Sequence, residues 1–116
     1  MSTRQLQFKR ISSDEDASFL MPGQQSPMTL VIFCGADAPV VKKARELSAE
    51  LDVPEQWSFA LVDPEAASET TRWFGIKDMP AMGAVCDGAL LALEYECSLE
   101  AFERLIHVAR QQYAQL

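Results

Sequence analysis

Basic residues are scarce in this chain. Its 116 residues hold 10 Lys and Arg against 17 Asp and Glu, giving a formal net charge of −7 and a pI near 4.6. That balance argues against a nucleic-acid partner, because phosphate neutralisation needs a cationic surface. It argues equally against an anionic membrane face. Long hydrophobic runs are also missing: 48% of the residues are hydrophobic, yet no apolar stretch approaches the ~20 residues of a bilayer span. The opening residues Met1-Ser2-Thr3-Arg4-Gln5 contain no apolar segment of the kind that directs secretion, so a cytoplasmic location is expected. Histidine occurs once, at His107, on the outward side of the last predicted helix, and supplies neither a metal site nor a credible base. Cysteine occurs three times, at Cys34, Cys86 and Cys97, with no pair at metal-ligand or dithiol spacing. In a reducing compartment these read as small, half-buried thiols. No metal and no cofactor are expected.

What is present reads as one compact domain over residues 1–116, long enough for a single core. Gln5 to Ile11 alternates polar and apolar residues and predicts a short edge strand. Ser12-Ser13-Asp14-Glu15-Asp16 reads as the start of a brief helix carrying Phe19 and Leu20 inward, with Pro22-Gly23 as its stop. Thr29 to Cys34 is apolar and β-branched, the composition of a central strand buried on both faces. After Gly35-Ala36, Asp37 can cap a helix in which Val40, Val41, Ala44, Leu47 and Leu51 recur at helical steps. Pro39 falls in its first turn, where a missing N–H costs no hydrogen bond.

Trp57 to Val62 predicts another buried strand, and Glu65 to Phe74 a helix stopped by Gly75. Ala81 to Cys86 and Leu90 to Tyr95 predict two strands joined by Asp87-Gly88, a dipeptide that tolerates the positive φ of a tight hairpin. Ser98 caps a final helix with Leu99, Phe102, Leu105, Ile106, Ala109 and Tyr113 as its apolar stripe. The order β-α-β-α-β-α-β-β-α implies an α/β fold with a mixed central sheet of about five strands, flanked by helices on both faces.

Read in order, these residues resemble the thioredoxin family across nearly the whole chain. The likeness rests on Leu30-Val31-Ile32-Phe33 before a helix, Ala38-Pro39 at the redox-loop position, Val62-Asp63 closing a strand, Phe74-Gly75-Ile76, and Met79-Pro80 before the hairpin. The resemblance implies a thioredoxin fold with a cis peptide bond at Met79-Pro80. It also shows where the family pattern is broken. The Cys-Gly-Pro-Cys motif of thioredoxins aligns with Asp37, Ala38, Pro39 and Val40. The buried carboxylate that moves protons in the family aligns with Val31, and the tryptophan preceding the motif aligns with Ala36. A carboxylate at Asp37 accepts hydrogen bonds but takes no part in thiol exchange, and its plain role is the helix cap.

The family holds extended peptides by strand-like hydrogen bonds to the segment before the cis-proline, a geometry independent of the cysteines. By that resemblance the groove here comprises Ala36, Asp37, Ala38, Pro39, Met79, Pro80 and Glu96, and the expected partner is a protein or peptide client. The leading expectation is a redox-inactive binding module acting as a chaperone, assembly factor or adaptor. The Asp63-Pro64-Glu65 segment is similar to one in bacterial hydrogenase-assembly accessory proteins that also lack the dithiol. The alternative is a monothiol thiol-disulfide oxidoreductase using Cys34 or Cys97, since in the family fold the strands preceding both residues point at the redox loop. Cys86 is expected far from both. A third reading is a subunit that forms a homodimer through its sheet edge or through the Met79 face.

Overall fold

The longest apolar stretches become the strands, because a segment with no polar face is stable only where both faces are covered. The computed structural model describes residues 8–23, 28–35, 42, 46, 57–96 and 98–114. Its strands are β1 (Phe8–Ile11), β2 (Thr29–Phe33), β3 (Ser58–Val62), β4 (Ala81–Cys86) and β5 (Ala89–Glu94), with a 3-10 helix at Asp16–Leu20 and α-helices α1 (Ser68–Trp73) and α2 (Leu99–Ala114). The five strands form one sheet in the order β1-β3-β2-β4-β5. β1, β3 and β2 run parallel, whereas β4 is antiparallel to both β2 and β5. The expected mixed sheet of five strands is therefore present, with Phe8–Ile11 at one edge. Of the predicted helix after Asp37, only Lys42 and Glu46 lie within the described residues, and both are helical and exposed.

The period of two along the strands divides the core into two layers. Leu30, Ile32, Phe59, Leu61, Met82 and Ala84 pack with Phe102, Leu105 and Ala109 of α2. On the other face Val31, Phe33, Ala60, Val62 and Val85 pack with Ala17, Leu20, Ala67 and Phe74. Successive residues of β2 thus serve opposite layers, which is why all five of its positions are buried.

The connections follow local chemistry. Asp87 and Gly88 take φ of 48° and 80°, the two positive values that a two-residue hairpin turn requires. A side chain at Gly88 would fall on the ring of Pro22, and Gly23 N–H donates to Asp87 Oδ1 at 2.8 Å, so the turn is held against the end of the 3-10 segment. At the end of α1, Gly75 has φ of 68°. Ile76 N–H donates to Thr71 O and Gly75 N–H to Arg72 O, at 3.2 and 3.0 Å. That hydrogen-bond pair satisfies the last helical carbonyls. Ser98 Oγ accepts from Ala101 N–H at 3.1 Å, the cap predicted for α2.

Three expectations need correction. The helix predicted from Glu65 begins only at Ser68. Asp63 Oδ1 accepts from Glu65 N–H at 3.0 Å and Asp63 O from Ala67 N–H at 2.8 Å, so residues 64–67 are spent in a turn around Asp63. The helix predicted after Ser12 is a 3-10 segment, in which Leu20 is buried and Phe19 only half-buried. Cys34 is buried rather than half-buried, at 4% exposure, because the alternation of β2 continues one residue past its last paired position and carries Cys34 into the α2 layer.

Candidate functional site

The register of the sheet brings the interesting loops to one edge. Ile11 lies beside Val62, Val62 beside Phe33, and Phe33 beside Ala81. Met82 faces Glu94 one step away. The residues just beyond this row are therefore Ser12, Asp63, Cys34-Gly35, Met79-Pro80 and Tyr95-Glu96. Cys34 N–H donates to Val62 O at 3.0 Å and Asp63 N–H to Ile11 O at 3.3 Å, which continues the parallel ladder up to the edge. Met79-Pro80, arriving ahead of the antiparallel β4, is set beside the end of β2, and its peptide bond is cis.

Met79 is 44% exposed and Tyr95 46% exposed, so two large apolar side chains stand at the edge in water. Methionine is more often buried, whereas tyrosine is intermediate. Lys77 and Asp78 before them are exposed as well. Glu96 is tied into the support of α2: its Oε1 accepts from Ser98 Oγ at 2.9 Å and from Arg104 Nη2 at 3.3 Å. Arg104 also donates to Glu94 Oε1 at 2.8 Å, and that hydrogen bond is the chief cause of its raised pKa.

On the β1 side of the same edge a cleft of about 50 Å³ is lined by Arg10, Ile11 and Ser12, by Leu61 and Asp63, and by Cys34-Gly35. It has room for a few waters. Sequence reading missed this cleft, because its residues come from three strands and meet only through the parallel register. It missed Tyr95 for a related reason. The alternation of β5 is interrupted at Leu91, which has no partner between Val85↔Leu90 and Ala84↔Ala92. Face assignment beyond that point therefore cannot be counted from the pattern.

Solved structures share this arrangement over most of their length. Schistosoma mansoni thioredoxin is 23% identical, covering 87% of this chain and 94% of its own, with a TM-score of 0.67. Malassezia sympodialis thioredoxin gives 17%, 92%, 93% and 0.70 for the same measures, and Trypanosoma brucei brucei thioredoxin 16%, 98%, 97% and 0.68. This is the thioredoxin fold. Neither a family model nor a curated protein matches the sequence, so the likeness carries the fold and leaves the reaction to the residues.

Within that thioredoxin fold the candidate residues divide. Met79, Pro80, Glu96 and Cys34 come to the one edge. Ala36, Asp37, Ala38, Pro39 and Val40, and also Cys97, lie outside the described residues. Val31 is fully buried among apolar neighbours that include Phe33, Ala60 and Val85, and none of these can carry a proton. Cys86 stands at the opposite end of the sheet, one step from Val85, which pairs with Thr29. Burial raises its thiol pKa, with a smaller push from Asp87, which disfavours the nucleophilic thiolate. Among the described residues no group of His, Cys, Asp and Glu is arranged to hold a metal ion, and no helix is long and apolar enough to cross a membrane.

Proposed function

We propose that the chain is a protein-binding module that holds an extended client segment along the edge formed by the 36–40 loop and Met79-Pro80. The observation that carries this reading is the exposure of Met79 immediately before Pro80, beside the end of β2. Main-chain groups of a segment that precedes a strand can pair with an extended client by strand-like hydrogen bonds, and a flexible thioether adapts to varied apolar side chains. Two further observations weigh against dithiol chemistry. The sequence has no Cys-x-x-Cys pair, and the position aligned with the proton-moving carboxylate is a valine in an apolar layer. The burial of Cys34 also weighs against its use as an attacking thiolate, which requires access. In its finer form this is a redox-inactive chaperone, assembly factor or adaptor of the cytoplasm, similar to hydrogenase-assembly accessory proteins.

The test has two arms. In insulin reduction with dithiothreitol the expected rate equals that without protein; turnover abolished by Cys34→Ser or Cys97→Ser overturns the reading in favour of a monothiol oxidoreductase. In affinity capture from the native organism, a client retained by the wild type is expected to be lost on Met79→Asp. A client held equally by both proteins places binding elsewhere.

A further inference from the structure

Residues 77–80, which bring Met79 to the edge, belong to no strand or helix. They span the gap between two anchored ends. At one end Ala81 opens β4 and pairs with Phe33, so the sheet fixes it. At the other, Ile76 N–H donates to Thr71 O at 3.2 Å, and half-buried Ile76 packs against the layer that holds Phe74. Where the segment starts is therefore set by where α1 lies.

α1 has six residues, far shorter than helices that persist alone. Its end is tied down, since Phe74 is buried and Trp73 Nε1 donates to Gly88 O at 3.2 Å. Its front has no capping side chain of its own. The acceptor comes instead from the loop after β1, where Asp14 Oδ1 takes Thr70 N–H at 2.7 Å and Thr70 Oγ1 at 2.8 Å. The bonds then run on through adjacent residues: Phe74 N–H donates to Thr70 O at 3.2 Å, and Thr71 O takes Ile76 N–H. Asp14 stands at the head of a hydrogen-bonded path that ends just short of Met79.

We propose that Asp14 is a positioning residue for the Met79-Pro80 edge. By fixing the front of α1 it fixes the start of residues 77–80, and with it the orientation in which Met79 is offered. It touches no client itself. That the edge holds a client rests on the function proposed above, whereas the coupling from Asp14 to residues 76–79 stands or falls without one.

Relaxation of backbone 15N amides in the full chain tests the coupling. Order parameters at residues 76–79 are expected to be about 0.85 in the wild type and to fall toward about 0.6 in Asp14→Ala, with those of β2 and β4 unchanged. Asp14→Asn keeps an acceptor oxygen and is expected to lie closer to the wild type. Thr70→Val deletes the hydroxyl bond and keeps the amide one; it is expected to loosen the same residues less, and it carries the test where Asp14→Ala weakens the fold. In affinity capture, a client lost on Met79→Asp is expected to be recovered several-fold less by Asp14→Ala and to return with Asp14→Asn. The two failures separate. Capture that ignores Met79→Asp removes the proposed function. A loosening that stops at Phe74, residues 76–79 that relax alike in the wild type and both Asp14→Ala and Thr70→Val, or a Met79-dependent client held in full by Asp14→Ala overturns the role of Asp14.

Discussion

Asp14 and Thr70 are 56 residues apart in sequence, yet Asp14 Oδ1 accepts from Thr70 N–H at 2.7 Å and from Thr70 Oγ1 at 2.8 Å. Its Oδ2 also accepts from Glu69 N–H, at 3.4 Å. The front of α1 has no capping side chain of its own, so a carboxylate from the segment after β1 supplies the missing acceptor. The Thr70 amide is the main cause that lowers the Asp14 pKa; partial burial opposes it, and the Thr70 hydroxyl and the Glu69 amide add to the lowering. A carboxyl that loses its proton more easily when folded stabilises the fold fully above its unfolded pKa of about 3.9. That contribution is lost as pH falls through the lower folded value. Asp14→Asn is therefore expected to lower the thermal midpoint near neutral pH and to flatten its dependence on pH below about 4, with the two curves converging in strong acid. Parallel curves would show that the carboxylate is not the acceptor that matters. None of this was legible in the acid run Asp14-Glu15-Asp16, which reads locally as a helix start. Ser13 Oγ does accept from Asp16 N–H at 3.0 Å, as that local reading expects, but the distant partner of Asp14 leaves no mark in the pattern around it.

Elements were legible where the signal is local and strong, and less so where two signals compete. The Asp87-Gly88 turn, the Gly75 stop and the Ser98 cap each depend on residues within a few positions, and each stands where the sequence places it. The front of α1 was misplaced because Asp63 both ends β3 and organises the turn that follows. Helical spacing alone does not register that a carboxylate has claimed the next amides. The candidate edge was legible only in part: Met79-Pro80 and Glu96 were placed by order along the chain and by the family resemblance, whereas Tyr95, which reaches the same edge through the antiparallel pairing of β4 with β5, was not. The cap of α2 offers a measurable case. Ser98 Oγ satisfies Ala101 N–H and donates to Glu96 Oε1, joining the helix to the end of β5. Ser98→Ala is expected to cost about 1 kcal/mol in urea unfolding, whereas Ser98→Thr, which keeps both the acceptor for Ala101 N–H and the donor to Glu96, is expected to retain most of that stability. If Ser98→Ala is neutral, Arg104 with Glu94 and Glu96 holds the junction without it.

At the scale of the molecule, the sheet distributes charge as well as side chains. The parallel strands end, and β4 begins, at the same edge, so the loops there collect acids from distant parts of the chain. Asp14, Glu15 and Asp16 follow β1, Asp63 and Glu65 follow β3, Asp78 precedes β4, and Glu96 follows β5. Arg104, through Glu94 and Glu96, and Lys77 and Arg10 at the same edge offset part of this, but the chain as a whole carries −7. Folding gathers these acids from a chain in which they are far apart, so their mutual repulsion opposes the compact state. Exposed charges are screened over about 10 Å at 0.1 M salt and over about 30 Å at 0.01 M. Repulsion spread across a whole edge is thus removed by modest salt, while the hydrogen-bonded contacts of Asp14 and Arg104 are less affected. The thermal midpoint is expected to rise when sodium chloride is increased from about 0.01 to about 0.15 M, and then to level off. Replacing Asp78 and Glu65 with Asn and Gln is expected to raise the low-salt midpoint and to reduce the rise with salt. Both are exposed, and neither takes part through its side chain in the caps described above. A midpoint that falls with added salt would instead mean that attractive ion pairs outweigh the repulsion of the edge, and the balance would then have to be sought in the Arg104 network.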